Sequence, residues 1–413
     1  MNLRTCLRGV FGLSLLPLAA VAQTAPADQT LIERGEYLAR AGDCLACHVV
    51  EGGRPYAGGL PIEMPFGTLY STNITPDKET GIGNWSDDDF VKAMQQGVGP
   101  DGQHYYPAFP YTSFTLMPRE DILAIKAYLF SLEPVRQQNP ENDLRFPFDQ
   151  RWGMALWNLL FLDDERFEPD PAQSEQWNRG RYLVEGPGHC AECHSPRNLF
   201  QARSGSKHLA GAEIQGWNAW NITADEEAGI GAWPDEALAR YLRTGVAEGY
   251  GVAGGPMAEV VNHSLRHLTE ADIDAMVVYL KTVEPQPADI GRPAPRELAA
   301  EVPAETAHPL GRKLFADACA SCHQWDGSGR QTPYAALRGL RTVHDADGRN
   351  LLRILLDGGH LEGPDGHHLM PAFNRHFDDR ELSDLGNFVL SHFGATEGRL
   401  TPEGVAERRK PGS

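Results

Sequence analysis

Three stretches of the chain share one alternation of apolar and polar positions. "REDILAIKAYLFSL" (119–132), "EADIDAMVVYLKTV" (270–283) and "DRELSDLGNFVLSH" (379–392) space their apolar residues at i, i+3, i+4 and i+7, the signature of a helix with one buried face. Each opens on acidic residues, which suit the positive end of a helix dipole. Upstream of each lies another amphipathic stretch in which a glycine and a run of helix formers with an aromatic lead into a turn. These are "ERGEYLARAGDCLACH" (33–48), "NRGRYLVEGPGHCAECH" (178–194) and "PLGRKLFADACASCH" (309–323). The pattern predicts three tandem helical modules, at 23–135, 176–285 and 306–395.

The first two modules match further. "NITPDKETGIGNWSDDDFVKAMQQGV" (73–98) and "NITADEEAGIGAWPDEALARYLRTGV" (221–246) agree nearly residue for residue, and the third keeps only a similar helix ending, "LLRILLDGGH" (351–360). The stretches 136–175 and 286–305 are rich in proline and charge with weak periodicity, and read as linkers. The first contains "FPFDQRWGMALWNLLF" (146–161), too aromatic for a free tether and expected to pack between modules one and two. Residues 396–413 form a polar tail.

The first 22 residues read as an export signal: Arg4 and Arg8 precede a short apolar run, and Ala20-Val21-Ala22 fits a small-x-small cleavage site. The run is too short for a membrane anchor, which needs about 20 apolar residues. Losing Arg4 and Arg8 takes the formal charge from −19 to −21. Such acidity disfavours nucleic acid and anionic membranes as partners.

Seven cysteines include Cys6 in the leader; the other six fall in three pentapeptides, Cys44-Leu45-Ala46-Cys47-His48, Cys190-Ala191-Glu192-Cys193-His194 and Cys319-Ala320-Ser321-Cys322-His323. In an exported chain six cysteines ordinarily mean disulfides. The adjoining histidines point elsewhere, because Cys-x-x-Cys-His is the attachment sequence of c-type haem. Two thiols at that spacing add across the two porphyrin vinyl groups, and the histidine becomes the proximal iron ligand. Zinc would want further ligands at regular spacing, and a thioredoxin-like pair needs no histidine. The expectation is therefore three covalently bound haem c groups, with His48, His194 and His323 on the irons.

The opposite iron ligand separates electron transfer from ligand chemistry. Met370 lies 11 positions before Glu381 and Met257 lies 15 before Asp272, both read as loop methionines in comparable places and both candidate axial ligands. Module one has no methionine at that distance. Met117, four positions before Asp121, aligns with Leu268 and Phe377, which suggests a hydrophobic staple onto the helix, while a flexible thioether also suits iron. Met117, His104 and an open iron remain alternatives there. Met94, Met154 and Met276 read as core filler. Arg197 and Asn198 fit either haem propionates or a turn, Trp85 and Trp233 read as pocket walls, and the Asn73 and Asn221 glycosylation patterns read as a shared structural turn. His263, His267, His367 and His368 read as polar surface or pocket residues.

With these repeats in view, the chain resembles the triple-haem cytochrome c subunits of bacterial periplasmic, membrane-associated dehydrogenases that oxidise alcohols, gluconate, sorbitol and aldehydes. The likeness rests on "RGEYLARAGDCLACH", "PFGTLYSTNITPDKETGIGNWS", "YPAFPYTSFT", "WNRGRYLVEGPGHCAECHSPRN" and "LMPAF", and spans about residues 30–395. It implies an all-α chain of three cytochrome c-type domains. It also implies a periplasmic relay, peripheral on the membrane at most, that takes electrons from a catalytic dehydrogenase subunit and passes them to ubiquinone, a terminal oxidase or another cytochrome. Many relatives carry methionine where Phe109 stands in "YPAFPY", which leaves the first haem's far ligand open. No Ser-His-Asp set, phosphate loop, Rossmann fingerprint or paired-carboxylate signature suggests substrate chemistry in the chain itself. The alternatives are a haem enzyme with an open first iron, peroxidase-like or a small-anion oxidase, and a free periplasmic shuttle.

Overall fold

A computed structural model describes residues 26–287, 308–329 and 332–410. The expected export signal at 1–22 and nearly all of the 286–305 linker lie outside the described residues.

Three packed helix pairs organise the described residues. In each, the helix that leads into a Cys-x-x-Cys-His motif packs on the helix that closes the same repeat. The pairs are Pro26–Ala41 on Arg119–Ser131, Glu175–Glu185 on Glu270–Leu280, and Pro309–Ala318 on Asp379–Gly394. The repeated glycine is what lets the backbones touch. A Cβ on Gly35 or Gly180 would stand 1.9 Å from the carbonyl oxygen of Ala124 or Ala275, and one on Gly311 would stand 2.2 Å from that of Asp384.

The closing helices start alike. Met117, Leu268 and Phe377 each precede the N-cap, and Ile122, Ile273 and Leu382 occupy the fourth helical position. That is the geometry of a hydrophobic staple, which fixes the angle at which the chain enters the helix. Thr269 caps its helix by accepting from the Asp272 N–H, and Asp378 forms a reciprocal capping box with Glu381. A third helix completes each unit: Asp87–Gln96, Asp235–Thr244 and Arg349–Asp357.

The all-α expectation needs amending, because helices dominate but short hairpins accompany them. Pro61–Met64, Gly67–Tyr70 and Asp143–Leu144 make a three-stranded antiparallel sheet; Ala212–Ile214 pairs with Trp217–Ala219, Val246–Ala247 with Gly251–Val252, and Gly359–Gly363 with Gly366–Met370. Strands of two to five residues are too short to register as a period along the sequence.

Packing between units is unequal. The first two share one contiguous apolar core, running from Leu38 and Ile122 through Leu183 and Ile273, while the third has its own around Phe315, Leu352 and Phe388. Units one and two are cross-braced by repeated residues. Arg34 and Tyr182 converge on Asp121, and Arg179 and Tyr37 converge on Asp272, with Arg179 bidentate at 2.7 and 2.8 Å. Each acid is thus held by the arginine of its own unit and the tyrosine of the other. Unit three docks on unit two through buried amides. Asn218 N–H donates to Asn350 Oδ1 at 2.7 Å, and Asn350 Nδ2 returns a bond to the Asn218 carbonyl at 3.0 Å.

The helix Gly153–Phe161 in the first linker lies against both early units. Trp157 is buried beside Tyr111 and Ala202 and donates from Nε1 to the Phe200 carbonyl at 2.9 Å. Asn158 accepts from the Tyr111 hydroxyl and donates to the Gln96 carbonyl. The opposite face, with Trp152, Leu156, Leu159 and Leu160, is exposed. The polar tail does not hang free. Its helix Pro402–Arg408 buries Val405 against the last closing helix, and Arg409 pairs with Asp379. Among the described residues no helix is long and apolar enough to cross a membrane.

Candidate haem sites

Each pentapeptide forms a single tight helical turn, Cys44–Cys47, Cys190 with Ala191–His194, and Cys319 with Ala320–His323. Cysteines three apart on one turn project from the same side, and the histidine follows immediately. None of these six thiols is in a disulfide, so the disulfide reading of the sequence falls. Burial pushes the Cys44 and Cys190 thiols up to about 12 and Cys319 to about 11.

The histidines share a second feature. Nδ1 of His48 lies 2.6 Å from the Thr72 carbonyl oxygen, Nδ1 of His194 lies 2.6 Å from that of Trp220, and Nδ1 of His323 lies 2.7 Å from that of Ala335. A carbonyl oxygen only accepts, so each ring carries its proton on Nδ1 and presents an unprotonated Nε2. Burial lowers all three imidazoles below their ordinary value, an effect the carbonyl bonds partly offset. Two thiols on one side of a turn, and a neutral imidazole oriented by an outer hydrogen bond, are the donor set that haem c requires. Zinc fits poorly. Among the described residues, the one trio of His, Cys, Asp or Glu groups close enough to hold a metal ion is His360, Glu362 and His367, remote in sequence from every pentapeptide.

The three methionines singled out in the sequence occupy different settings. Met257 is not in a loop: it is the second residue of the helix Pro256–His263, half-buried, behind Gly255, whose φ of 51° and contact with the Trp217 indole exclude a side chain. Met370 ends the strand Gly366–Met370 and packs partly buried against the third core. Met117 is fully buried at its staple position, and its carbonyl accepts from Gln95 Nε2 at 2.9 Å. The His104 ring meets Asn158 at 3.5 Å, and Phe109 packs against Phe114 with centroids 5.7 Å apart. Met94 and Met276 are buried core, as their helical positions suggested.

Other residues resolve toward structure. Arg197 donates to Glu192 Oε2 at 2.6 Å and to the Gln201 carbonyl at 2.8 Å, and Asn198 Oδ1 accepts from the Phe200 and Ala202 amides, so both build the turn after the second motif. Asn73 and Asn221 are buried and close matching turns onto Thr75 and Thr223. Trp85 packs edge-on against Phe90, and Trp233 packs against Tyr241 and Tyr250.

Three residues that matter here were not singled out in the sequence. His189, directly before Cys190, sits edge-on to Phe114 and brings Nε2 to 3.4 Å from the Gly42 carbonyl, just upstream of the first motif. The first two motifs are therefore neighbours. Asp43, the cap of the first motif, is driven well above the usual carboxylate value by burial and by Glu259, which comes from the Met257 helix of unit two. Arg341 of unit three lies over the Trp220 ring at 5.2 Å, next to the carbonyl that orients His194, and bonds the carbonyls of Asn221 and Ala228. His189 and Asp43 carried a signal, each standing directly before a motif; Arg341 carried none.

Comparison with known proteins agrees with the donor set. The cytochrome c family model matches residues 32–133 and 309–393. The gluconate 2-dehydrogenase cytochrome c subunit of Pantoea cypripedii is 40% identical over 96% of this chain and 93% of its own length. The fructose dehydrogenase cytochrome subunit of Gluconobacter japonicus is 37% identical over 94% of this chain and 84% of its own. A nicotinate dehydrogenase subunit of Pseudomonas putida is 42% identical over 98% of this chain, which spans only 35% of that longer protein. The chain belongs to the family of cytochrome c subunits of bacterial gluconate, fructose and quinone-linked alcohol dehydrogenases, and binds haem c covalently.

Proposed function

We propose that the chain is a periplasmic triple-haem relay that accepts electrons from a catalytic dehydrogenase subunit and delivers them to ubiquinone or a terminal oxidase. In this reading Cys44 and Cys47, Cys190 and Cys193, and Cys319 and Cys322 would hold one haem each, and His48, His194 and His323 would offer Nε2 to the irons. The observation that carries it is the matched trio of imidazole–carbonyl bonds. A haem bound at each turn supplies a one-electron iron couple. The residues of this chain fix the histidine ring and keep it neutral.

Met257 and Met370 would supply further sulfur donors to the haems in this proposal. Both are half-buried thioethers on elements that meet, since the Met257 helix packs on the hairpin that ends in Met370. Proximity of the first two motifs, and the Arg341 contact with the His194 support, favour a conducting series over three isolated centres. Export of the chain rests on its basic-then-apolar first 22 residues.

Haem quantitation of the purified protein is expected to give three per chain; two would overturn the assignment. Mild purification from the native cells should bring a catalytic dehydrogenase subunit with it, and its consistent absence would favour the free shuttle.

A second reading is favoured by the burial of Met117, which commits that thioether to the core. It leaves the first iron open and makes the protein a haem enzyme, peroxidase-like or a small-anion oxidase. Carbon monoxide or cyanide binding at one haem in three, with turnover of peroxide or a small anion, is its signature. Three haems inert to both ligands exclude it.

A further inference from the structure

We propose that the hairpin of unit three carries a binding site for a first-row divalent transition ion of the zinc type, separate from the haems, formed by His360, Glu362 and His367. The antiparallel register places Glu362 opposite His367, and His360 two residues before Glu362 on the same strand. Side chains alternate across a strand, so His360 and Glu362 share one face while Leu361 between them is buried in the core. His367, directly across from Glu362, joins them.

The donor atoms converge. Glu362 Oε1 lies 2.7 Å from His367 Nδ1 and 3.3 Å from His360 Nε2, and the three are mutually within 4.8 Å. Tetrahedral zinc with bonds of about 2.0–2.1 Å needs donors about 3.3 Å apart, so small rotamer adjustments suffice. Both imidazoles are substantially exposed, at 48% and 69% of the side chain, which leaves the remaining coordination positions to water. Two histidines and one carboxylate suit zinc or its neighbours rather than calcium or magnesium, which favour all-oxygen shells.

Outer contacts hold the set in place. Arg266 of unit two engages the other carboxylate oxygen, Oε2, at 3.3 Å and leaves Oε1 toward the histidines. Asn262, also of unit two, accepts from the Glu362 N–H at 2.8 Å and donates to the His360 carbonyl at 3.2 Å, clamping this strand on either side of Leu361. Such outer bonds orient metal ligands and are part of a working site. An ion here would pin together the two strands of the hairpin that Arg266 and Asn262 tie to unit two, and the acidic surface would favour its approach.

The test uses the untagged, haem-loaded protein, stripped with chelator and dialysed against zinc, with zinc and haem iron counted separately. About one zinc per chain is expected, together with a melting temperature that rises with zinc concentration. The double substitution His360→Ala and His367→Ala, confined to exposed rings, should weaken zinc binding by about 100-fold or more and abolish the thermal shift, with unchanged haem absorbance as the control for folding. Failure of the parent protein to bind zinc, or equal binding by the folded double variant, overturns the site. Should that variant fold poorly, His367→Gln alone, at the more exposed position, gives the same discrimination.

Discussion

A glycine and a methionine set the limits of single positions. At Gly180 a methyl group would collide with the Ala275 carbonyl at 1.9 Å, and backbone cannot rotate aside as a side chain does. Gly180→Ala is expected to force the helix pair apart and cost about 1–3 kcal/mol, the usual range for overpacking, read by denaturant unfolding of the haem-loaded protein. A loss under about 0.5 kcal/mol would mean the helices yield easily. Met117 makes a different prediction. Met117→Leu should leave every haem spectrum unaltered, because leucine already fills the equivalent position at Leu268. Met117→Ala should cost about 2–5 kcal/mol through the cavity it leaves. Loss of one haem's spectral signature in Met117→Leu would return the thioether to the iron.

Elements meet through the cross-brace of units one and two, and here acidity is the lever. Burial raises the Asp272 carboxyl, but the bonds from Arg179 and Tyr37 outweigh it and hold the group below its usual value. A carboxyl depressed in the folded state adds stability above its unfolded value of about 3.9, and that contribution disappears as pH falls through the lower folded value. Unfolding measured from pH 6 downward should show an acid-dependent loss beginning near pH 4 that Asp272→Asn removes. A profile identical in the variant would show that the brace contributes nothing through its charge. The repeats made Arg34 and Arg179, and Tyr37 and Tyr182, recognisable as counterparts. They did not show that each tyrosine reaches the other unit's acid, since that exchange exists only once the two helix pairs pack face to face.

At the scale of the whole molecule, one helix presents a run of apolar side chains to solvent. Trp152, Leu156, Leu159 and Leu160 form an exposed apolar stripe at i, i+4, i+7 and i+8 of one helix, and Phe200, in ring contact with Phe161 at the end of that helix, is exposed as well. Stripes of this kind mark interaction surfaces. In the relay proposed above the stripe is the docking surface for the catalytic dehydrogenase subunit, since the net charge of −19 disfavours an anionic bilayer there. Replacing Leu159 and Leu160 with glutamate should abolish co-purification of the dehydrogenase subunit while haem content and helicity stay constant. Undiminished co-purification would remove the stripe from that interface. The aromatic character of the segment was plain in the sequence, but which side of its helix met Tyr111 and which met solvent was not.

Chemistry that depends on neighbours along the chain was legible in the residues alone. Two thiols and an imidazole within five residues point to a haem anchor from the sequence alone, and the repeated glycines, staples and acid-led helices mark the units that carry the motif, because capping and helical periodicity act over one or two turns. Whatever depends on residues far apart in sequence waited for the packed fold. Packing selected the nitrogen each histidine presents, through carbonyls 12 to 26 positions away. It also set the first motif beside the second, moved Met257 into a helix, buried Met117, and gathered His360, Glu362 and His367 on one hairpin face. Those outcomes follow from packing, strand register and desolvation, which exist only once distant segments exclude water together.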